Sequence, residues 1–185
     1  MIIEDIGLNG AFYIEPKMFN DKRGFFFEWF NQEKFELETG IKFQAVQFNY
    51  SQSSKGVLRG LHFQHEPKAQ SKLIAVTKGE IQDVIVDIRI GSPTFGKSKS
   101  ILLSSEKRNQ LFVPKGFAHG FLVLSDTAEI FYAIDDFYSP ENEGGLMYND
   151  AKIGIEWSLN EDKIILSEKD ANYEPFDKMS NKFKY

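Results

Sequence analysis

Short runs in which side chains alternate with a period of two recur along this chain, and they narrow its fold more than any other feature. Ile81 to Ile90 places Val84, Val86, Ile88 and Ile90 opposite Asp83, Ile85, Asp87 and Arg89, as a strand does when successive residues point to opposite faces. Lys72 to Lys78 alternates too, setting Leu73, Ala75 and Thr77 against Lys72, Ile74 and Val76. Gly79-Glu80 forms a turn between the two runs, and Gly91-Ser92-Pro93 ends the second. Further strand candidates cover 43–50, 57–64, 98–103, 110–113, 120–124 and 128–134. So many short strands at near-regular spacing predict a mostly β fold, a sandwich or jelly-roll barrel with a few short helices. A 15% aromatic content suits the broad pleated surfaces of such a fold. The spacing predicts a helix over 31–39 capped by Gly40, and a weaker helical turn near 104–109. The polar stretch 160–185 reads as a wrap over the surface.

No repeat, low-complexity tract or linker interrupts residues 1–185, which are read as one domain with enough apolar residues (42%) for a core. A net charge of −5 argues against nucleic acid as the main partner. It leaves room for a small anionic ligand held by a few basic side chains. With 0 cysteines, disulfides and thiolate metal sites are excluded. No leader-like segment and no apolar run of about 20 residues is present, so no membrane association and a cytoplasmic location are expected.

The three histidines are His62, His65 and His119. His119 follows the turn Pro114-Lys115-Gly116-Phe117-Ala118 and opens a strand, an arrangement that resembles the second cupin motif. His62 and His65 are three apart, however, and on a regular strand they face opposite ways. Glu66, next to Pro67, is badly placed as a third ligand, so no metal site is expected. The run Val57-Leu58-Arg59-Gly60-Leu61-His62-Phe63-Gln64 is richer in chemistry. Arg59 and His62 share a face only if the strand is irregular, and Gly60 is where a bulge would turn both inward. Gln47 and Asn49 share one strand face, and Lys72 aligns with Ile74 and Val76. Polar side chains on several neighbouring strands suggest a pocket inside a barrel. Each residue alone has a plainer reading: Lys72 a solvated strand end, Tyr132 a core or interface aromatic, His119 a hydrogen-bonded histidine, Asp170 a surface acid.

Residues 21–28, 47–51, 56–64, 83–89, 92–96, 113–121 and 138–141, in order and without large gaps, resemble the dTDP-4-dehydrorhamnose 3,5-epimerases, a family of cupin-like jelly-roll enzymes. The most specific stretches are Leu58-Arg59-Gly60-Leu61-His62-Phe63-Gln64 and Pro114-Lys115-Gly116-Phe117-Ala118-His119-Gly120-Phe121. The resemblance implies cofactor-free and metal-free inversion of the carbons beside the C4 ketone of dTDP-4-dehydro-6-deoxy-D-glucose. In that reading His62 is the general base, steadied by Asp170, Lys72 holds the enolate oxygen, and Tyr132 is the acid on the opposite ring face. Arg59, His119 and Tyr138 would line the pocket, while Arg23, Phe26, Glu28, Gln47 and Asn49 would grip the nucleotide and its diphosphate. The family also implies a homodimer that exchanges N-terminal strands, so that some of these residues serve the neighbouring subunit's site.

The residue types suit the reaction. A ketone makes adjacent C–H bonds acidic, and inversion needs a base, an enolate stabiliser and an acid across the ring. Three rival readings remain at this point: an epimerase acting at C3 or C5 alone, a metal-dependent cupin using His62, His65 and His119, and a non-catalytic carbohydrate-binding jelly roll.

Overall fold

The computed structural model describes residues 1–180 and 183–185. The first strands are β1 (Ile2–Asp5), β2 (Phe12–Glu15), β3 (Met18–Asp21) and β4 (Gly24–Phe27), followed by the helix α1 (Gln32–Thr39). The body continues with β5 (Gln47–Ser54), β6 (Leu58–Gln64), β7 (Lys72–Lys78), β8 (Glu80–Asp87) and β9 (Ser98–Ser104). It closes with β10 (Gln110–Val113), β11 (Phe117–Val123), β12 (Thr127–Ile134), β13 (Glu143–Gly145) and a one-turn helix, α2 (Glu168–Ala171).

Two antiparallel sheets face each other, ordered β1-β2-β10-β7-β12-β5 and β13-β6-β11-β8-β9. Strands consecutive in sequence, such as β7 and β8, lie in different sheets, which is the jelly-roll arrangement expected from the period-two runs. The alternation sorts side chains as predicted. Ile74 and Val76 of β7 meet Ile81 and Ile85 of β8 and Ile130 of β12 in the layer between the sheets. Val84, Val86 and Ile88 point the other way, under an outer layer built by Leu146, Ile153, Phe176, Met179 and Phe183. The C-terminal stretch does wrap the surface, but it also plants apolar anchors that its polar composition conceals.

The outer face of the six-stranded sheet is covered by α1. Asn31 caps it by accepting from the Lys34 N–H, and Gly40 ends it at φ 72°. This matches the predicted helix. Its one buried side chain, Phe35, packs 4.7 Å from Phe112 between ring centroids and sits with Leu73 and Phe43. The segment 104–109 is a turn rather than a helix, closed by the Arg108 N–H on the Ser104 carbonyl, with Arg108 at φ 55° halting helical continuation. β3 and β4 form a separate hairpin outside both sheets. No helix among the described residues is long and apolar enough to cross a membrane.

Candidate active site

The irregularity anticipated at Gly60 is present. His119 pairs with His62 and Phe121 with Arg59, so two steps along β11 match three along β6. The extra residue lets Arg59 and His62 line the same cavity. Gly60 stands at φ 121°, and a Cβ there would lie 2.6 Å from the Gly120 Cα, so both backbones can approach only as glycines.

The cavity opens at one end of the space between the sheets. Its outer part, about 300 Å³, is lined by Gln47, Asn49, His62, Lys72, Tyr132 and Tyr138, together with Gln64 and Glu143. An inner part of about 260 Å³ shares His62, Lys72, Tyr132, Tyr138 and Glu143, and adds Arg59 and His119. His62 projects from the five-stranded sheet, whereas Lys72 and Tyr132 project from the six-stranded one. A ligand between them is therefore addressed from both sides.

His62 Nε2 lies 2.6 Å from Asp170 Oδ1. Asp170 is 5% exposed, and its N–H donates to Ser167 Oγ at the start of α2. Burial pushes the Asp170 carboxyl up, but the hydrogen bond and charge of His62, with help from Ser167 and the Gly60 backbone, hold it below the usual carboxylate range. Asp170 thus stays an anion that fixes one ring nitrogen and leaves the other for proton exchange. Tyr173 stands edge-on to the imidazole, with ring centroids 5.6 Å apart. Burial leads in pushing its phenol up to about 12.

The Lys72 Nζ reaches the His62 carbonyl at 3.4 Å. Burial pulls its pKa down to about 8, against the opposing attraction of Asp83 and Glu143. Burial also raises the Tyr132 phenol, which Arg59 partly offsets. His119 forms a second imidazole–carboxylate pair, its Nε2 lying 3.0 Å from both Asp83 oxygens, with Asp83 fully buried. At the mouth, Gln47 Nε2 donates to Asn49 Oδ1 at 2.9 Å. The Tyr138 hydroxyl donates to Glu143 Oε2 at 2.8 Å, and Glu143 Oε1 pairs with Lys169 Nζ at 2.5 Å.

Nine of the residues singled out from sequence are thus gathered here: His62, Asp170, Lys72, Tyr132, Gln47, Asn49, Arg59, His119 and Tyr138. Arg23, Phe26 and Glu28 are not. Arg23 pairs with Asp21 on the exposed β3–β4 hairpin, where Phe26 is 67% exposed, and Glu28 bonds Asn31 and Lys34. His65 does not join the other two histidines, because its ring stacks on Phe183 outside the cavity. Among the described residues, no three His, Cys, Asp or Glu side chains are grouped to hold a metal ion.

Four residues of the site went unread in the sequence: Asp83, Glu143, Lys169 and Tyr173. Asp83 had a signal, since it shares the inward face of β8 with Ile85. Glu143 follows the flagged run Tyr138-Ser139-Pro140-Glu141 by two residues.

The model of the dTDP-4-dehydrorhamnose 3,5-epimerase family matches residues 5–178. The chain is 53% identical over 162 residues to the dTDP-4-dehydrorhamnose 3,5-epimerase of Shigella flexneri, covering 88% of each protein. It superposes with a TM-score of 0.94 and 47% identity on the crystal structure of dTDP-4-dehydrorhamnose 3,5-epimerase from Elizabethkingia anophelis NUHP1, covering 96% of this chain and 97% of that one. A dTDP-6-deoxy-D-glucose-3,5-epimerase from Legionella pneumophila Philadelphia 1, solved in complex with dTDP-4-keto-L-rhamnose, gives a TM-score of 0.91 at 45% identity, covering 96% and 93%. A jelly roll with this cavity between its sheets, matched at such identity over nearly its whole length, belongs to the dTDP-4-dehydrorhamnose 3,5-epimerase family.

Proposed function

We propose that this chain is an isomerase that inverts C3 and C5 of dTDP-4-dehydro-6-deoxy-D-glucose, yielding dTDP-4-dehydro-L-rhamnose. The observation that carries the reading is the pair of opposed walls: the Asp170-bound imidazole of His62 on one sheet, Lys72 and Tyr132 on the other. His62 takes the proton from the carbon beside the ketone. The C–H electron pair becomes a carbon–carbon double bond as the carbonyl π electrons move to O4. Lys72 places its ammonium at that oxygen, where negative charge accumulates. Tyr132 then donates its proton to the same carbon from the other face, and the ketone re-forms with the centre inverted. His62 is left protonated and Tyr132 ionised, so exchange with water resets both before the second carbon reacts. No redox step occurs, and no electron sink beyond the ketone is needed.

Arg59 and His119 border the sugar, while Gln47 and Asn49 stand at the mouth toward the nucleotide. Arg23, Phe26 and Glu28 serve the nucleotide of a second copy, in a homodimer that works in the cytoplasm. Support for that assembly is the exposure of apolar rings on the hairpin and on β5, with Phe19 51%, Phe25 54%, Phe26 67% and Phe48 62% accessible.

The test is NMR of the 4-keto sugar nucleotide in deuterated water with metal-stripped protein. Deuterium at both C3 and C5 is expected, and His62→Asn is expected to abolish both exchanges while leaving dTDP binding intact. Exchange at one carbon alone would move the assignment to a single-site epimerase. Full-rate turnover by His62→Asn would remove the base from its role.

A further inference from the structure

Tyr138 borders both parts of the cavity, yet it sits on an irregular segment between β12 and β13 rather than on a strand. Such a segment holds an aromatic ring in place only if its backbone polar groups are tied to something rigid. Gln64 supplies that tie. Its amide nitrogen donates to the Phe137 carbonyl at 3.2 Å and to the Lys68 carbonyl at 2.6 Å. Its amide oxygen accepts from the Ser139 N–H at 2.8 Å. The backbone groups immediately before and after Tyr138 are thus held by one side chain. Gln64 is 4% exposed, so bulk water cannot substitute for these bonds.

Gln64 also lies two residues after His62 on β6, hence on the same inward face. The strut and the imidazole share one short piece of strand. Gln47 adds a bond from β5, accepting the Tyr138 N–H at 3.1 Å. Glu143 fixes the far end of the side chain through the hydroxyl. Of these three supports, only Gln64 ties the phenol's backbone to the strand that carries His62.

We infer that Gln64 is a positioning residue, which sets the distance of the Tyr138 ring from His62 and so shapes the sugar-binding part of the cavity. The inference rests on the epimerase reading. An active site tolerates little misplacement, and a shift of about 1 Å can cost on the order of a hundredfold in rate.

A double-mutant cycle tests this, with kcat/KM for the 4-keto sugar nucleotide and Kd for dTDP alone as readouts. Gln64→Met is expected to lower kcat/KM about tenfold or more, within the range set by such misplacement. Its Kd for dTDP should change much less than kcat/KM, since Gln47 and Asn49 keep their places on β5 and their mutual bond. Gln64→Met added to Tyr138→Ala should cost nothing further, because the strut acts only through the ring it holds. Multiplicative losses would overturn the inference, as would a Gln64→Met enzyme at wild-type kcat/KM. Should Gln64→Met fail to fold, Gln64→Glu replaces it in the same cycle. It keeps the acceptor for Ser139 and loses the paired donors to Phe137 and Lys68, and the same non-additivity is required of it. Amide hydrogen exchange gives a readout without turnover: Ser139 should lose protection in Gln64→Met and keep it in Gln64→Glu, which retains its acceptor, and unchanged protection in Gln64→Met would refute the strut. A wild-type protein that exchanges neither C3 nor C5 would sink the epimerase reading instead, an outcome the cycle distinguishes from additive losses in an active enzyme.

Discussion

Replacing Lys72 by Met should make the protein more stable while destroying its activity. The ammonium is drawn down from 10.5 to about 8 by burial, even with Asp83 and Glu143 attracting it. At pH 7 the group is protonated in both the folded and unfolded chains, so the folded state carries the penalty of a poorly hydrated charge. The gap of about 2.5 between the two values corresponds to about 3 kcal/mol, at ~1.4 kcal/mol for each pKa unit. Met has nearly the same volume and no charge, so this penalty vanishes with little repacking. The lost bond to the His62 carbonyl is long, at 3.4 Å, and returns about 1 kcal/mol of that gain at most. The net expectation is about 2 kcal/mol of stabilisation, a rise in Tm of about 4–8 °C for a chain of this size.

The variant's advantage shrinks in a definite pH window. Between about 8 and 10.5 the unfolded chain binds the Lys72 proton more readily than the folded one. Wild-type stability therefore gains on the variant as pH rises through that range. Urea denaturation at matched protein concentration, at pH 7 and again near the top of the window, measures both effects. A variant no more stable than wild type at pH 7 would refute the reasoning, and so would an advantage that fails to shrink at high pH. Activity lost alongside stability gained is the trade expected of a charge kept in a cavity for chemistry.

The same ammonium sets an alkaline limit on turnover: kcat/KM should decline as pH rises past about 8, the value to which burial brings Lys72. Tyr132 adds no limb there, since burial holds its phenol above 10.0 despite Arg59. A profile flat well beyond that pH would show that Lys72 need not be charged. Gly60→Ala should be destabilised by several kcal/mol, on the order of 3 or more, because it combines left-handed backbone with a contact of 2.6 Å to the Gly120 Cα. Thermal melts report it, and a melting temperature equal to wild type would mean that β6 and β11 separate without cost.

The period-two pattern made the sandwich legible because alternate residues of its central strands pack into two different layers. β7 and β8 are read correctly residue by residue for that reason, down to Val84 and Val86 facing away from Ile85. Boundaries suffered where packing rather than pattern decides. The run 43–50 is strand only from Gln47 onward, since Phe43 and Ala45 pack beside α1 in irregular chain. The first strand candidate in the pattern lies at 43–50, so β1 to β4 are not read from periodicity, although the family resemblance implies N-terminal strands. β1, β3 and β4 are four residues each and exposed at nearly every position, too short and too little buried to impose a pattern.

The site was legible to the degree that its residues share strands with the core. Lys72 could be placed from Ile74 and Val76, and Gly60 announced the bulge that turns Arg59 and His62 to one cavity. Asp170 could not be found this way. It approaches His62 from 108 positions away, on a single turn of helix whose own sequence carries no periodic signal. What holds that turn is local: Ser167 caps it, and Ile165 just before it exchanges backbone bonds with Gly56 and Leu58 at the start of β6. The strand that carries His62 is thus bonded to the segment that delivers its carboxylate. The distance between the two groups is set by backbone pairing rather than by any feature of the acid itself. A carboxylate of this kind is invisible to residue-by-residue reading, because its function resides in where the tail docks.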